Sequence, residues 1–153
     1  MLQGRRYAGE VTDLRENSYP GERLGMPEVG SGSIARPGRR IAALFIDYIA
    51  ATLIATAFLG YDQFALPAQA GLTMFAPMTV FAVLNVLFLP TIGGTPGHRV
   101  MGLRIQLVQG GWVGLWRPII RTLLLIVVIP AVVWDADQRG LHDKAAGTML
   151  VRV

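Results

Sequence analysis

The sequence predicts an all-α membrane protein. It should hold two transmembrane helices, a third apolar helical segment (transmembrane or re-entrant), a short cytoplasmic β pairing and a disordered N-terminal tail. Three observations predict this. Hydrophobic residues make up 52% of the 153 residues and charged residues only 16%, against about a quarter charged in soluble domains. Two runs, 41–59 and 71–89, carry a single charge between them, and each comes close to the roughly 20 apolar residues needed to cross hydrocarbon. The net charge of +4 is almost wholly arginine, with Lys144 the only lysine, and those arginines flank the apolar runs.

Residues 1–33 mix arginines with Glu10, Asp13, Glu16, Glu22 and Glu28 and show no sustained period. Such a stretch reads as a solvated tail, with a partner-docking arm as the functional alternative. It has no apolar core of the kind a signal peptide needs. A basic collar follows, with Arg36, Arg39 and Arg40. The first apolar run contains one charge, Asp47, and its Ala43, Ala50, Ala51 and Ala55 would let another helix come close. Residues 60–70 form a short connection without Lys or Arg. The second run has Asn85 as its one strongly polar side chain and should stop at Pro90.

A polar loop, 91–117, opens with Gly93-Gly94-Thr95-Pro96-Gly97-His98-Arg99. Its residues 103–108 alternate as a short strand does, and so do 149–153. The third apolar run, 118–134, holds Arg121 near its start and Pro130 inside. Proline disfavours one straight helix there.

Lys and Arg mark the cytoplasmic side. The collar has three arginines, the loop after the second run has Arg99, Arg104 and Arg117, and the connection between the two runs has none. The N-terminus and the long loop are therefore expected in the cytoplasm. Isolated strands seek partners. If 103–108 pairs with 149–153, the C-terminus lies on that side too, and the third run re-enters; if 118–134 crosses, the C-terminus is outside.

A carboxylate inside a membrane helix costs about 2.5–3.5 kcal/mol on insertion scales and is a functional-site hypothesis by default. Arg40 lies seven residues before Asp47 on the same helix face. By depth, Asp47, Asn85 and Arg121 share one half of the membrane, so Asn85 is expected to hydrogen-bond Asp47 and Arg121 to neutralise it. Two readings stay open: a salt-bridged clasp that orders the bundle, or a proton- or cation-binding group. They differ in ionisation. An acid beside arginine stays charged, whereas an unpaired, desolvated one takes a proton.

Other chemistry finds little support. Without cysteine there are no disulfides or thiols. The glycine-rich turn at 93–97 has backbone N–H groups suited to phosphate, but it is not a P-loop and reads better as a turn. His98 and His142, the only histidines, are too few for a metal site. Ser18, Ser31 and Ser33 all sit in the tail, so no hydrolytic constellation forms. The expectation is a non-enzyme with no metal, no cofactor and no nucleic-acid partner.

Gly38-Arg39-Arg40-Ile41-Ala42-Ala43-Leu44-Phe45-Ile46-Asp47 resembles the opening helix of the RDD family of small bacterial membrane proteins, named for one arginine and two aspartates. The arginine matches Arg40 and the first aspartate Asp47. The stretch from Thr95 through Gly97, Arg99 and Arg104 to Ile105 is similar to the family's T-x-G-K-R-x-x-G-L-R-V segment, with His98 in place of the usual Lys or Arg. Arg139-Gly140-Leu141-His142-Asp143-Lys144-Ala145-Ala146-Gly147-Thr148 is similar to its closing R-x-L-H-D-x-x-A-G-T segment, which places the second aspartate at Asp143. The resemblance covers 34–153 and implies a multi-pass protein of the bacterial cytoplasmic membrane. It also implies a poorly defined activity, with cation/proton exchange suspected in some members. The two expectations are a small cation or proton transporter that works as a homo-oligomer, and a non-transporting scaffold or accessory subunit that holds a partner, such as another membrane protein, through its tail or cytoplasmic loop.

Overall fold

The computed structural model describes residues 18–109, 111–127 and 139–153. The first long helix, α1 (Pro37–Leu59), starts where the sequence allows: Arg36 is extended, Pro37 sits at the first helical position, and Gly60 ends the helix in the left-handed region. At 1.5 Å per residue it is about 34 Å long, enough for a bilayer core of about 30 Å. A short turn of helix, α2 (Pro67–Ala70), and a 3-10 turn (Gly71–Phe75) lead into α3 (Ala76–Ile92). Taken together, 68–92 form a second apolar helical stretch of 25 residues. The sequence predicts an end at Pro90, but Pro90 does not stop this helix. The helix runs two residues further, to a left-handed Gly93 whose N–H reaches the Leu89 carbonyl. So close to the C-terminal end, a proline removes one bond and leaves the last turn standing.

The packing of α1 is inverted relative to a soluble helix. Its buried face is Arg40, Ala43, Asp47, Ala51 and Ala55, while Phe45, Leu53 and Phe58 are at least 65% exposed. Soluble proteins bury the large apolar residues and solvate the charged ones. The opposite arrangement suits a helix whose outer face meets lipid and whose polar groups must be satisfied within the protein. α1 packs against α3 and α4, and small alanines on its buried face allow such close approach.

The remaining elements collect at one end of the helix pair. After α3 come α4 (Pro96–Val100), β1 (Leu103–Leu107) and α5 (Trp116–Ile126); after the undescribed stretch come α6 (Leu141–Ala145) and β2 (Thr148–Arg152). The two strands pair antiparallel, with Leu103 opposite Arg152 and Leu107 opposite Thr148. The expected pairing thus forms, and it puts the C-terminal segment at the same end as the start of α1. Residues 32–35 extend this ladder on the other edge of β2: Gly32 N–H donates to the Arg152 carbonyl at 2.9 Å, and Ala35 N–H to that of Leu150 at 2.8 Å. An edge covered this way offers no template for further pairing.

A small core of Ala35, Ala43, Leu89, Leu103, Ile105, Val113 and Leu150 ties helices to sheet. The tail read as 1–33 divides. Residues 18–33 carry a 3-10 turn at Glu22–Leu24, and Leu24 and Met26 pack onto Ile34, Met149 and Val151; residues 1–17 lie outside the described residues. α5 spans 11 residues, and residues 128–134 of the third apolar run, with Pro130, also lie outside the described ones.

Candidate polar site at the end of the helix pair

Thr95, at the start of α4, caps that helix. His98 N–H donates to its hydroxyl while its own N–H donates to His98 Nδ1 at 3.3 Å. Pro96 at the first helical position presets the turn. This capping box aims the Thr95 hydroxyl and the Gly97 N–H at α1. There they meet Asp47: Thr95 Oγ1 donates to Asp47 Oδ2, and Gly97 N–H donates to Asp47 Oδ1 at 2.7 Å. Thr95 Oγ1 also contacts His98 Nδ1. The glycine-rich turn is thus a turn, as expected, and the groups it presents meet the chain's own Asp47 carboxyl. Gly97 is needed for the close approach, because a Cβ there would fall on the Ala43 carbonyl oxygen and come within 2.8 Å of the Asp47 carboxyl carbon.

Asp143, on α6, is fully buried between two arginines from different elements. Arg40 Nη1 of α1 donates to its Oδ2 at 2.9 Å, and Arg121 Nε of α5 donates to its Oδ1 at 2.7 Å. His142 Nε2 stands 3.5 Å from the same Oδ1. Arg40 is further anchored by Nε to the Ala35 carbonyl at 2.9 Å. Burial alone would raise the Asp143 carboxyl; Arg121, His142 and Arg40 outweigh it and hold the group well below the usual carboxylate range. The result is an ion-paired clasp joining the start of α1, α5 and the C-terminal segment.

His98 lies between the two acids. Burial, reinforced by Arg121, pushes it down to about 3, so it is a neutral imidazole at physiological pH. Its ring lines a cavity of about 30 Å³ together with Arg40, Arg121, His142 and Asp143. That is room for a water molecule among polar partners. The sequence's five-residue cluster is thus partly redistributed. Arg121 neutralises Asp143 rather than Asp47. Asn85, buried on α3, donates to the Phe81 carbonyl of its own helix at 2.9 Å rather than to Asp47. Depth along the membrane placed these groups at one level, but helix rotation decides which of them meet.

The loop and C-terminal motif residues have distinct places. Arg99 is exposed and its guanidinium reaches the Ile92 carbonyl; Arg104 is exposed on β1, opposite Val151. Arg139 is half-buried just ahead of α6. Gly147 turns the chain into β2 with φ of 65°, and the buried Thr148 hydroxyl donates to the Asp143 carbonyl at 3.3 Å. Thr95 and His98 as partners of Asp47 were missed. The signal was the spacing Thr95-Pro96-x-His98, a capping-box pattern that fixes a turn able to present donors. Among the described residues, no group of three His, Cys, Asp or Glu side chains is placed to hold a metal ion.

No curated protein and no solved structure matches the chain. The profile of the RDD family matches residues 34–147, which include Arg40, Asp47, the Thr95–His98 turn and Asp143. This membrane-type protein, with its two apolar helices and buried arginine and aspartates, belongs to the RDD family.

Proposed function

We propose that the protein exchanges a small cation for a proton across the bacterial cytoplasmic membrane, with Asp47 as the group that takes up and releases the proton. The observation that carries this reading is the difference between the partners of the two acids. Asp143 sits between two guanidiniums. The hydrogen-bond donors to Asp47 are a hydroxyl and a backbone amide, and the nearest ring nitrogen, His98 Nδ1 at 3.8 Å, belongs to a neutral imidazole. A carboxylate fixed by arginines cannot lose its charge without leaving two buried cations behind. One held by neutral donors changes protonation without that penalty.

The proton count of the turn supports the same reading. Thr95 has one hydroxyl hydrogen, yet its oxygen touches both Asp47 Oδ2 and His98 Nδ1, and Nδ1 already accepts from the Thr95 N–H. A proton on Asp47 lets the carboxyl donate to Thr95 and Thr95 donate to His98, so every contact becomes a hydrogen bond. Loss of that proton leaves a carboxylate for a cation to occupy. The positive residues at this end of the helix pair support its placement on the cytoplasmic side. Two described spans are few for a pathway, so a second copy completes it.

The test is pH-gradient-driven cation flux into vesicles reconstituted with the full chain. Asp47→Asn should abolish flux and Asp47→Glu should keep part of it. Flux that survives in Asp47→Asn removes Asp47 from the mechanism.

A further inference from the structure

The end of α3 opens into a second, larger cavity, of about 650 Å³, bounded by Leu89, Pro90, Arg99, Arg104, Gln106 and Trp112 among others. Its charged side chains are two arginines; among the described residues no carboxylate lines it. Arg99, which lines the space, uses one guanidinium N–H on the Ile92 carbonyl, and a guanidinium has five N–H donors, so that bond takes a small part of its capacity. Trp112 is pinned by its indole N–H to the Pro90 carbonyl at 2.8 Å and is 69% exposed; Trp116, at the start of α5, is 70% exposed. Exposed tryptophans beside a helix end mark the headgroup level of a bilayer.

We propose that this cavity binds the phosphate headgroup of an anionic lipid. The size suits a phosphoglycerol-like group, since small-ligand sites span about 300–1,000 Å³. Arginine recognises phosphate oxygens in pairs through its planar fork. The argument for a lipid over free phosphate is the floor of the site. Val83, Leu87 and Pro90 follow at spacings of four and three residues along α3, which places them on one face. Val83 and Leu87 are exposed, at 49% and 57%. An apolar stripe thus leads from the lipid-facing surface of α3 into the cavity, where an acyl chain would lie beneath its headgroup. Basic pockets beside membrane helices at the cytoplasmic surface take acidic headgroups for the same electrostatic reason. This inference uses the membrane placement of the helices but not the exchange role of Asp47, so either can fail alone.

The test titrates phosphatidylglycerol or phosphatidylcholine into the full chain in neutral detergent and reads bound lipid by native mass spectrometry. Phosphatidylglycerol should bind and phosphatidylcholine should not. Arg99→Gln with Arg104→Gln should weaken phosphatidylglycerol about thirtyfold, and Arg104→Gln alone, on an exposed strand position, about fivefold. Arg36→Gln, an exposed charge outside the cavity, should change it less than twofold. Equal binding of the two lipids would overturn the proposal. So would a double variant that binds like the parent, or an effect of Arg36→Gln as large as that of Arg104→Gln. Displacement of the lipid by an equal concentration of inorganic phosphate would make the occupant a soluble anion and overturn the lipid assignment.

Discussion

Replacing Gly97 by alanine adds one methyl group at the point where α4 meets α1. The backbone of Gly97 is not in the left-handed region, so alanine meets no conformational penalty and the effect is crowding. The new Cβ would fall on the Ala43 carbonyl oxygen and stand 2.8 Å from Asp47 Cγ and 2.9 Å from Oδ1. All three are held by α1, in a helix that cannot yield locally, so α4 must move away. Overpacking of this kind costs about 1–3 kcal/mol, and losing the Gly97 N–H bond to Asp47 adds about 1, for a total of about 2–4 kcal/mol. Gly38→Ala is the matched control. A Cβ on Gly38 meets nothing within 4 Å, and alanine in a helix should be neutral or stabilising by up to about 1 kcal/mol. Chemical denaturation of both variants in the same detergent measures the difference. If Gly97→Ala is as stable as the parent, then α4 does not press on Asp47 and the site geometry described above is wrong.

Three further outcomes follow from the two acids and the histidine between them. Asp143→Asn should destabilise by about 3–5 kcal/mol in the same denaturation assay, because Arg40 and Arg121 would be buried without their anion. Thr95→Val should suppress cation flux while Thr95→Ser retains it, since only the serine keeps a hydroxyl between Asp47 and His98; equal flux in both would remove the hydroxyl from the proton path. Acid should act on stability through two further groups at this site. His98 is held at about 3 in the folded chain against 6.5 when exposed, so below pH 6.5 the unfolded chain binds a proton that the folded one refuses. Relative to a His98→Gln chain, in which the proton uptake proposed for Asp47 is still present, each pH unit of acidification down towards 3 then shifts the folding equilibrium by up to about tenfold. Asp143, lowered from 3.8, contributes stability above that value that is lost as the pH falls through it. A pH titration of denaturation midpoints checks this, and His98→Gln should flatten the stage between 6.5 and 4.

The long features of the fold were legible because lipid imposes a simple rule on sequence. The run 41–59 with its lone acid became α1, and the alternating strands found each other because an unpaired strand is costly at either position. Arg40 and Asp143 were named from their motifs, and the structure joins them across 103 residues. What sequence did not give was rotation and long-range choice of partner. Asn85 lies in the expected half of the helix pair but turns to its own backbone, and Arg121 reaches Asp143 instead of Asp47. The Thr95–Asp47 contact spans 48 residues, and no local pattern in α1 points to it. Pro90 misled for a different reason: a proline breaks a helix by its missing N–H and its ring clash, and both matter less when only two residues remain.

Infrared difference spectroscopy of the reconstituted protein, taken as the pH changes through the physiological range, reads carboxyl protonation directly. A protonated-carboxyl band should appear and vanish with pH, persist in a folded Asp143→Asn chain and be missing in Asp47→Asn. A band that survives in Asp47→Asn, or the absence of any such band in the parent, would contradict the assignment of Asp47 as the exchanging acid.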